Sequence, residues 1–80
     1  PMEDTELSGP WRKLIRRQVV VNMRGDRAFR GVLWDQRGPL LVLRNAVLHE
    51  PGQEPRGVDG EVVVERRSVE FIQFVTAEGD

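Results

Sequence analysis

The sequence predicts an all-β fold, a short N-terminal helix followed by five short strands that form a small barrel or an open sheet. Apolar and β-branched runs recur over residues 18–75 and are separated by short segments with Gly and Pro, a pattern typical of small sheets and barrels. Gly31 interrupts the second run on the face that Phe29 and Leu33 share. A residue without a side chain on the inner face lets a strand fold over the core. One domain is therefore expected over residues 9–75.

The helix is expected over residues 9–17, after a flexible tail. Ser8 is suited to cap its start. Trp11, Leu14 and Ile15 recur at the i, i+3, i+4 spacing of one apolar stripe. The basic residues of this segment fall on the exposed side of the stripe: Arg12, Lys13, Arg16 and Arg17. They form a candidate second basic face that binds nucleic acid or only keeps the protein soluble.

Five strands are expected after the helix, at residues 18–23, 27–36, 40–50, 61–67 and 68–75. Gly25 and Asp26 suit a tight hairpin turn between the first two. Residues 51–60 are rich in Pro and Gly and predict a mobile loop. The last two strands abut without a loop, which indicates one continuous bent element and not a hairpin. Such an element leaves an unpaired edge at each end of the barrel, and unpaired edges invite partners. Flexible tails are expected over residues 1–8 and 76–80.

Association is the expected source of additional stability, because a chain of 80 residues buries only a small core. The chain has no Cys, which excludes disulfides and thiolate metal sites, and a single His49 does not make a metal site. No metal and no cofactor are expected. The expected homo-oligomer interface consists of apolar residues of the last two strands: Val62, Val63, Val64, Val69, Phe71, Ile72 and Phe74.

The formal net charge of −1 hides a strong asymmetry along the chain. Residues 1–10 carry −3, residues 11–44 carry +7 and residues 45–80 carry −5. The basic part faces an anion such as nucleic acid, or it pairs with the acidic part between strands or subunits. Both interpretations are open at this point.

Features of enzymes and membrane proteins are missing from the sequence. It has no Cys nucleophile, no Gly-rich phosphate loop and no paired acid–base constellation, so a non-enzymatic protein is expected. No stretch approaches the roughly 20 apolar residues of a membrane span. No charged start precedes an apolar run, so a cytoplasmic location is expected.

Seven residues of the first two strands follow the spacing V-x-V-x-M-x-G-x-x-x-F-x-G-x-L: Val19, Val21, Met23, Gly25, Phe29, Gly31 and Leu33. This spacing resembles the first signature of the Sm and Sm-like (LSm) proteins. The stretch LLVLRNA resembles the end of that signature, and VVVERRSVEFI resembles the second signature. The likeness covers about residues 9–75 and is that of a divergent bacterial or phage-type member.

The resemblance implies a helix that caps a bent, five-stranded, SH3-like open barrel. It implies rings of five to seven or eight subunits, in which the fourth strand of one subunit pairs with the fifth of the next. It also implies binding of single-stranded RNA at the inner rim of the ring. The expected function is that of an RNA chaperone or scaffold. The alternative is a structural or assembly ring that binds protein partners.

The family's base-reading positions differ in this chain. The family uses an Asp and an Asn between strands two and three, and an Arg from an Arg-Gly pair in strand four. Leu40 stands at the Asn position, and Gln36 stands at the Asp position with Asp35 one place earlier. The Arg-Gly position carries Glu65-Arg66, followed by Arg67. Because leucine has no hydrogen-bonding group, a base pocket different from the family's is expected.

The candidate RNA-binding residues are those of the two turns that would line the rim: Trp34, Asp35, Gln36, Arg37, Arg66 and Arg67. A ring multiplies each arginine by the number of subunits and makes an annulus that attracts anions. The Trp34 ring stacks a base, a contact worth about 1–3 kcal/mol, or it packs against the core or a neighbour.

Overall fold

The structure, a computed structural model, describes residues 15–75 as one antiparallel sheet of six strands. The strands are β1 (Arg17–Met23), β2 (Ala28–Arg37), β3 (Leu40–His49), β4 (Arg56–Val58), β5 (Val62–Glu65) and β6 (Val69–Phe74). One 3₁₀ turn, η1 (Arg66–Ser68), joins β5 to β6. The order along the sheet is β4-β3-β2-β1-β6, and β5 pairs with β3 beside β4. The all-β prediction is confirmed, with a sixth strand.

The predicted helix does not reach residue 17. Residues 15 and 16 form a turn, and Arg17 already begins β1. Arg16 has φ of 68°, which lies in the left-handed region and outside the range of a right-handed helix. The rest of the predicted helix, from residue 9 to residue 14, and both predicted tails lie outside the described residues.

The β1–β2 connection is the tight hairpin that the sequence predicts. Gly25 and Asp26 have φ of 89° and 66°. They are the second and third of the three residues that lie between Met23 and Arg27, and Gly and Asp are among the residues that adopt positive φ most readily. The Met23 N–H donates a hydrogen bond to the Arg27 carbonyl at 2.8 Å and closes the turn.

The segment 51–60 contains a short strand, which corrects the mobile-loop prediction. β4 pairs with Ala46–Leu48 of β3, because this half of β3 lies beyond the reach of β5 and offers an open backbone edge. An ion pair of 3.1 Å between Arg56 and Glu50 joins the two ends of the turn before β4. The rest of the segment 51–60, which is rich in Pro and Gly, forms loops on either side of β4.

Gly31 is buried where β2 passes over β3, as its inward position predicts. A Cβ atom at this position would lie 2.8 Å from the Arg44 carbonyl oxygen and 3.1 Å from Cα of Ala46. The ladder shifts between Arg30 and Val32, and β3 contributes the extra residue of this bulge. A second shift between Leu33 and Asp35 leaves Trp34 without a partner in the ladder. Bulges increase bend and twist, so the two shifts produce the curvature of the sheet.

The core fills the inner face of the bent sheet. Its fully buried side chains come from the first three strands: Leu33, Leu41, Leu43, Val19 and Val21. In β1 they alternate with more exposed residues, as expected for a half-buried antiparallel sheet, whereas β3 is buried on both faces over Leu41–Leu43. No buried polar or charged residue is found within residues 15–75. Hydrophobic packing therefore holds the fold, and charged chemistry is confined to its surface.

The last two strands do not form a hairpin, as predicted, but the η1 turn interrupts the continuous element that the sequence indicates. β5 pairs only with β3, and β6 pairs only with β1, within the described chain. The η1 turn carries the chain from one edge of the sheet to the other. The outer edges of β5 and β6 are therefore unpaired within residues 15–75.

Candidate nucleic-acid interface

Two turns of the chain lie side by side at one end of the sheet. The Arg66 N–H of η1 donates a hydrogen bond of 2.8 Å to the carbonyl of Pro39, in the turn between β2 and β3. Leu40 pairs with Glu65 directly beside this bond. A cavity of about 360 Å³ lies here, lined by Pro39, Glu65, Arg66 and Arg67. The structure thus places the β2–β3 turn beside the Arg66–Arg67 turn.

The β2–β3 turn is held by its own side chains. The Gln36 N–H donates to Oδ1 of Asp35 at 2.8 Å, and Arg37 Nε donates to Oδ2 at 3.0 Å. The Gln36 side-chain amide donates to the Gly38 carbonyl at 3.2 Å. The hydrogen bond from Arg37 and then that from the Gln36 N–H lower the pKa of Asp35 below its usual value. Asp35 is therefore ionised at neutral pH, and its charge is matched by Arg37.

The η1 turn is anchored by Arg24, a residue that sequence reasoning missed. The Arg24 N–H donates to the Ser68 carbonyl at 3.0 Å, and its Nε donates to the Arg67 carbonyl at 3.2 Å. Arg67 Nε donates to Glu65 at 3.2 Å. The Nε of Arg66 is buried and has no hydrogen-bond partner among the described residues. No local signal marks Arg24, because its role depends on a contact 43 residues away.

The charged groups of the two turns sum to one positive charge per chain, from Asp35, Arg37, Glu65, Arg66 and Arg67. The side chains of Arg37 and Arg67 are 74% and 84% exposed. Ion pairs this exposed contribute about 0–1 kcal/mol. Both guanidinium groups can therefore exchange their carboxylates for another anion.

The exposed large hydrophobic side chains of the described chain all lie on β5 and β6, two of the three strands that have an open edge. Val63 of β5 is 53% exposed, and Phe71 and Phe74 of β6 are 54% and 41% exposed. The other residues of the predicted interface face inward: Val64 is a core residue, and Val62, Val69 and Ile72 pack against the core. Exposed apolar groups on unpaired edges mark an association surface.

Comparison with solved structures shows which known folds this architecture resembles. A heptameric archaeal Sm protein, whose structure was described for its implications for the eukaryotic snRNP core, superposes with a TM-score of 0.73 at 28% identity. The match covers 85% of this chain and 98% of that chain. The protein has an Sm-like fold. A chain of the NatC complex bound to CoA is similar as well, with a TM-score of 0.70, 27% identity and coverage of 81% of this chain and 83% of that chain.

No family model matches the sequence. No curated protein matches it either.

Trp34 lies away from the cavity, on the outer face of the Sm-like sheet. The Arg16 guanidinium carbon lies 3.8 Å from the ring centroid, and that of Arg44 lies 4.0 Å from it. Because β2 runs between β1 and β3, Arg16, which precedes β1, approaches the Trp34 ring from one side, and Arg44 of β3 approaches the ring from the other side. Glu61 accepts a hydrogen bond of 2.9 Å from Arg44. Base stacking on Trp34 stays a prediction, and it requires that one arginine moves off the ring.

The predicted second basic face does not form as a helical face at its described end. Arg16 stacks on Trp34, and Arg17, a residue of β1, lies 4.3 Å from the Phe74 ring centroid. Successive side chains at the start of a strand point to opposite faces, so Arg16 and Arg17 cover different aromatic rings. Arg12 and Lys13 lie outside the described residues.

The described part of the chain holds neither a metal-binding cluster nor a membrane-spanning helix. Residues 15–75 contain no group of three or more His, Cys, Asp or Glu side chains placed to hold a metal ion. Over the same range, no helix has the length and apolar character needed to cross a membrane.

Proposed function

We propose that this Sm-like protein assembles into a homo-oligomeric ring through β5 and β6 and binds single-stranded RNA at the two adjacent turns. The observation that carries the proposal is the location of Val63, Phe71 and Phe74, the exposed large hydrophobic residues of the described chain, on β5 and β6, whose outer edges are unpaired. The similarity to a heptameric archaeal Sm protein supports a ring.

The two edges complement each other in backbone and in side chains. Each edge strand carries unpaired N–H and C=O groups on its outer side, which a second strand can satisfy. Pairing of β5 with β6 of the next copy would also cover Phe71 and Val63. Full burial of such a side chain contributes about 1.5–3 kcal/mol, so covering a residue that is half exposed, as Phe71 is, contributes about half of that.

The ring would repeat the cavity once per subunit. The η1 turn lies directly between β5 and β6 in the chain, so the residues of η1 sit between the two association surfaces of each subunit. Arg66 and Arg67 would then recur around the ring, beside the β2–β3 turn of each copy and its Arg37. One net positive charge per subunit becomes an annulus that attracts a polyanion.

The chemistry of these groups suits single-stranded RNA. Guanidinium groups bind phosphate through paired, charge-assisted hydrogen bonds. The carboxylates of Asp35 and Glu65 are held by Arg37 and Arg67, which limits their repulsion of phosphate. An RNA scaffold or chaperone needs this kind of contact.

The proposal is tested by titrating labelled oligo-U into the protein at two salt concentrations and recording fluorescence anisotropy. Binding is expected to weaken as salt rises, with a slope of about −0.7 per phosphate contact. Arg66→Gln is expected to reduce affinity and to lower this slope. Arg30→Gln, which removes an exposed arginine of β2, is the matched control and should leave both unchanged. Salt-independent binding, or equal effects of the two variants, would contradict the proposal.

A second candidate function is an assembly ring that binds protein partners. The pairing of Asp35 with Arg37 and of Glu65 with Arg67 favours it, because two of the three arginines already have an anionic partner. The likeness to a chain of the NatC complex also supports it. An intact ring that binds no oligo-U at low salt would favour this candidate.

A further inference from the structure

We infer that Arg17 of one copy forms an ion pair with Asp59 of the next copy, where β6 of the first meets β5 of the second. This inference rests on the proposed ring and identifies charged residues that each copy contributes to the interface. It follows from the order of the charges along the two open edges. Basic and acidic parts of the chain would then pair between subunits.

The β5 edge is acidic before its start and basic after its end. Asp59 and Glu61 precede β5 in the connection from β4. Glu61 already has an arginine partner in its own chain, whereas Asp59 is exposed and forms no ion pair within residues 15–75. At the other end, Glu65 is followed by Arg66 and Arg67 of η1, which gives one net positive charge. Asp59 is thus an available anion at the start of this edge.

The β6 edge has the opposite arrangement. The Arg17 guanidinium carbon lies 4.3 Å from the ring centroid of Phe74, so this residue of β1 places its charge over the last residue of the edge strand. Arg17 is exposed and has no carboxylate partner within residues 15–75. Near the start of β6, Glu70 is exposed and likewise forms no ion pair in this range. The edge therefore begins with an available anion and ends with an available cation.

Only one direction of pairing brings opposite charges together at both ends. Antiparallel pairing of β5 with β6 of the next copy places Asp59 at the end that carries Arg17, and it places Glu70 beside the basic η1 turn. Parallel pairing would place Asp59 beside Glu70 and Arg67 beside Arg17, and like charges on neighbouring strands are destabilising. The charge order thus favours the antiparallel arrangement.

The lengths of the two strands agree with this contact. β6 has six residues and β5 has four. When antiparallel pairing begins at the η1 end of β5, the last two residues of β6 extend past β5 and lie beside the connection that contains Asp59. The long side chain of Arg17, which already covers Phe74, then faces this connection.

The test reverses each charge and follows dissociation on dilution by light scattering. Arg17→Glu and Asp59→Arg each place like charges at the interface. Each is expected to raise the concentration of half-dissociation at least about threefold, because an exposed ion pair contributes up to about fivefold and reversal replaces attraction with repulsion. The double variant restores opposite charges in exchanged positions and should return to within about twofold of the original protein. Arg30→Glu, which reverses an exposed arginine of the interior strand β2, is the matched control and should have no effect.

A neutral variant makes the test independent of whether Arg17→Glu folds. Arg17→Gln removes the charge alone, and in this background Asp59→Arg should no longer weaken the assembly. Circular dichroism checks that each variant keeps its strand content.

The possible failures are distinguishable. Single variants that assemble like the original protein, or like Arg30→Glu, would overturn the ion pair while the proposed ring stands. Weakening by both single variants without recovery in the double variant would also overturn it. An original protein that is a single chain at micromolar concentration would overturn the proposed ring itself.

Discussion

Replacing Gly31 with alanine tests the physical basis of the bend. The new Cβ atom would lie 2.8 Å from the Arg44 carbonyl oxygen, 3.1 Å from Cα of Ala46 and 3.3 Å from the Asn45 carbonyl oxygen. All three are backbone atoms, so no side chain can rotate away. Because ordinary contact begins at 3.4 Å, β2 and β3 must separate at their bulge. Overpacking of this kind costs about 1–3 kcal/mol, and the backbone contacts place Gly31→Ala at about 2–3 kcal/mol.

Urea denaturation, followed by tryptophan fluorescence at equal protein concentration, measures this loss. For a domain of this size, about 2–3 kcal/mol corresponds to a fall in Tm of roughly 10–20 °C. Gly57→Ala in β4 is the matched control, because nothing lies within 4 Å of its Cβ position. The control should be neutral or slightly stabilising, since alanine is favoured over glycine within a strand. A Gly31→Ala variant within about 0.5 kcal/mol of the original protein would refute the close approach of β2 and β3 as the reason for glycine here.

Three further predictions concern single side chains. Asn45 has φ of 54°, so Asn45→Val should destabilise the fold by about 1–2 kcal/mol and Asn45→Gly should not, as thermal unfolding will show. Asp35 has a lowered pKa, so its contribution to stability is present above its unfolded pKa near 3.8 and is lost as pH falls through the lowered value. The acid-induced loss of stability should therefore be smaller in Asp35→Asn, measured by denaturation across this range. Arg24→Gln should weaken oligo-U binding about two- to fivefold through loss of its bond to the Arg67 carbonyl, and equal weakening by Arg27→Gln in the same turn would show an effect of charge alone.

Local patterns were sufficient to predict the first three strands and their turn. Alternation of apolar residues predicts which face of β1 and β2 is buried, because side chains of a strand alternate strictly. Gly25 and Asp26 predict the hairpin for a local reason, the positive φ that a tight turn requires and that both residues adopt. The position of Gly31 also predicts its role, since a glycine on the buried face of a strand indicates that another backbone approaches closely.

Long-range contacts explain what the sequence did not predict. β4 forms because β3 is longer than β5, so that part of the β3 edge stays open. The Pro- and Gly-rich sequence of residues 51–60 does not reveal this open edge. The apolar stripe at Leu14 and Ile15 predicts a helix to residue 17, but Arg17 pairs with Leu33 and begins β1. Pairing in the sheet overrides local helix preference, which is a weak effect.

The candidate site was predictable in its location more than in its detailed contacts. The resemblance to the Sm family implies that the two turns meet at the rim of a ring, and the structure joins them through Arg66 and Pro39. The stacking of Arg16 and Arg44 on Trp34 was not predictable, because it depends on the register of three strands. The anchoring contact of Arg24 is equally remote in sequence from η1.

The molar mass of the protein in solution, measured by light scattering across a dilution series, tests most directly whether β5 of one copy pairs with β6 of the next. Edge-to-edge pairing predicts one species at a fixed multiple of the protomer mass that persists on dilution. Phe71→Glu should reduce it to smaller species that keep their strand content by circular dichroism, because a carboxylate on the edge opposes association. Gln18→Glu, an exposed change on the interior strand β1, should keep the assembly intact. A single chain at micromolar concentration, or equal behaviour of the two variants, would contradict pairing between copies.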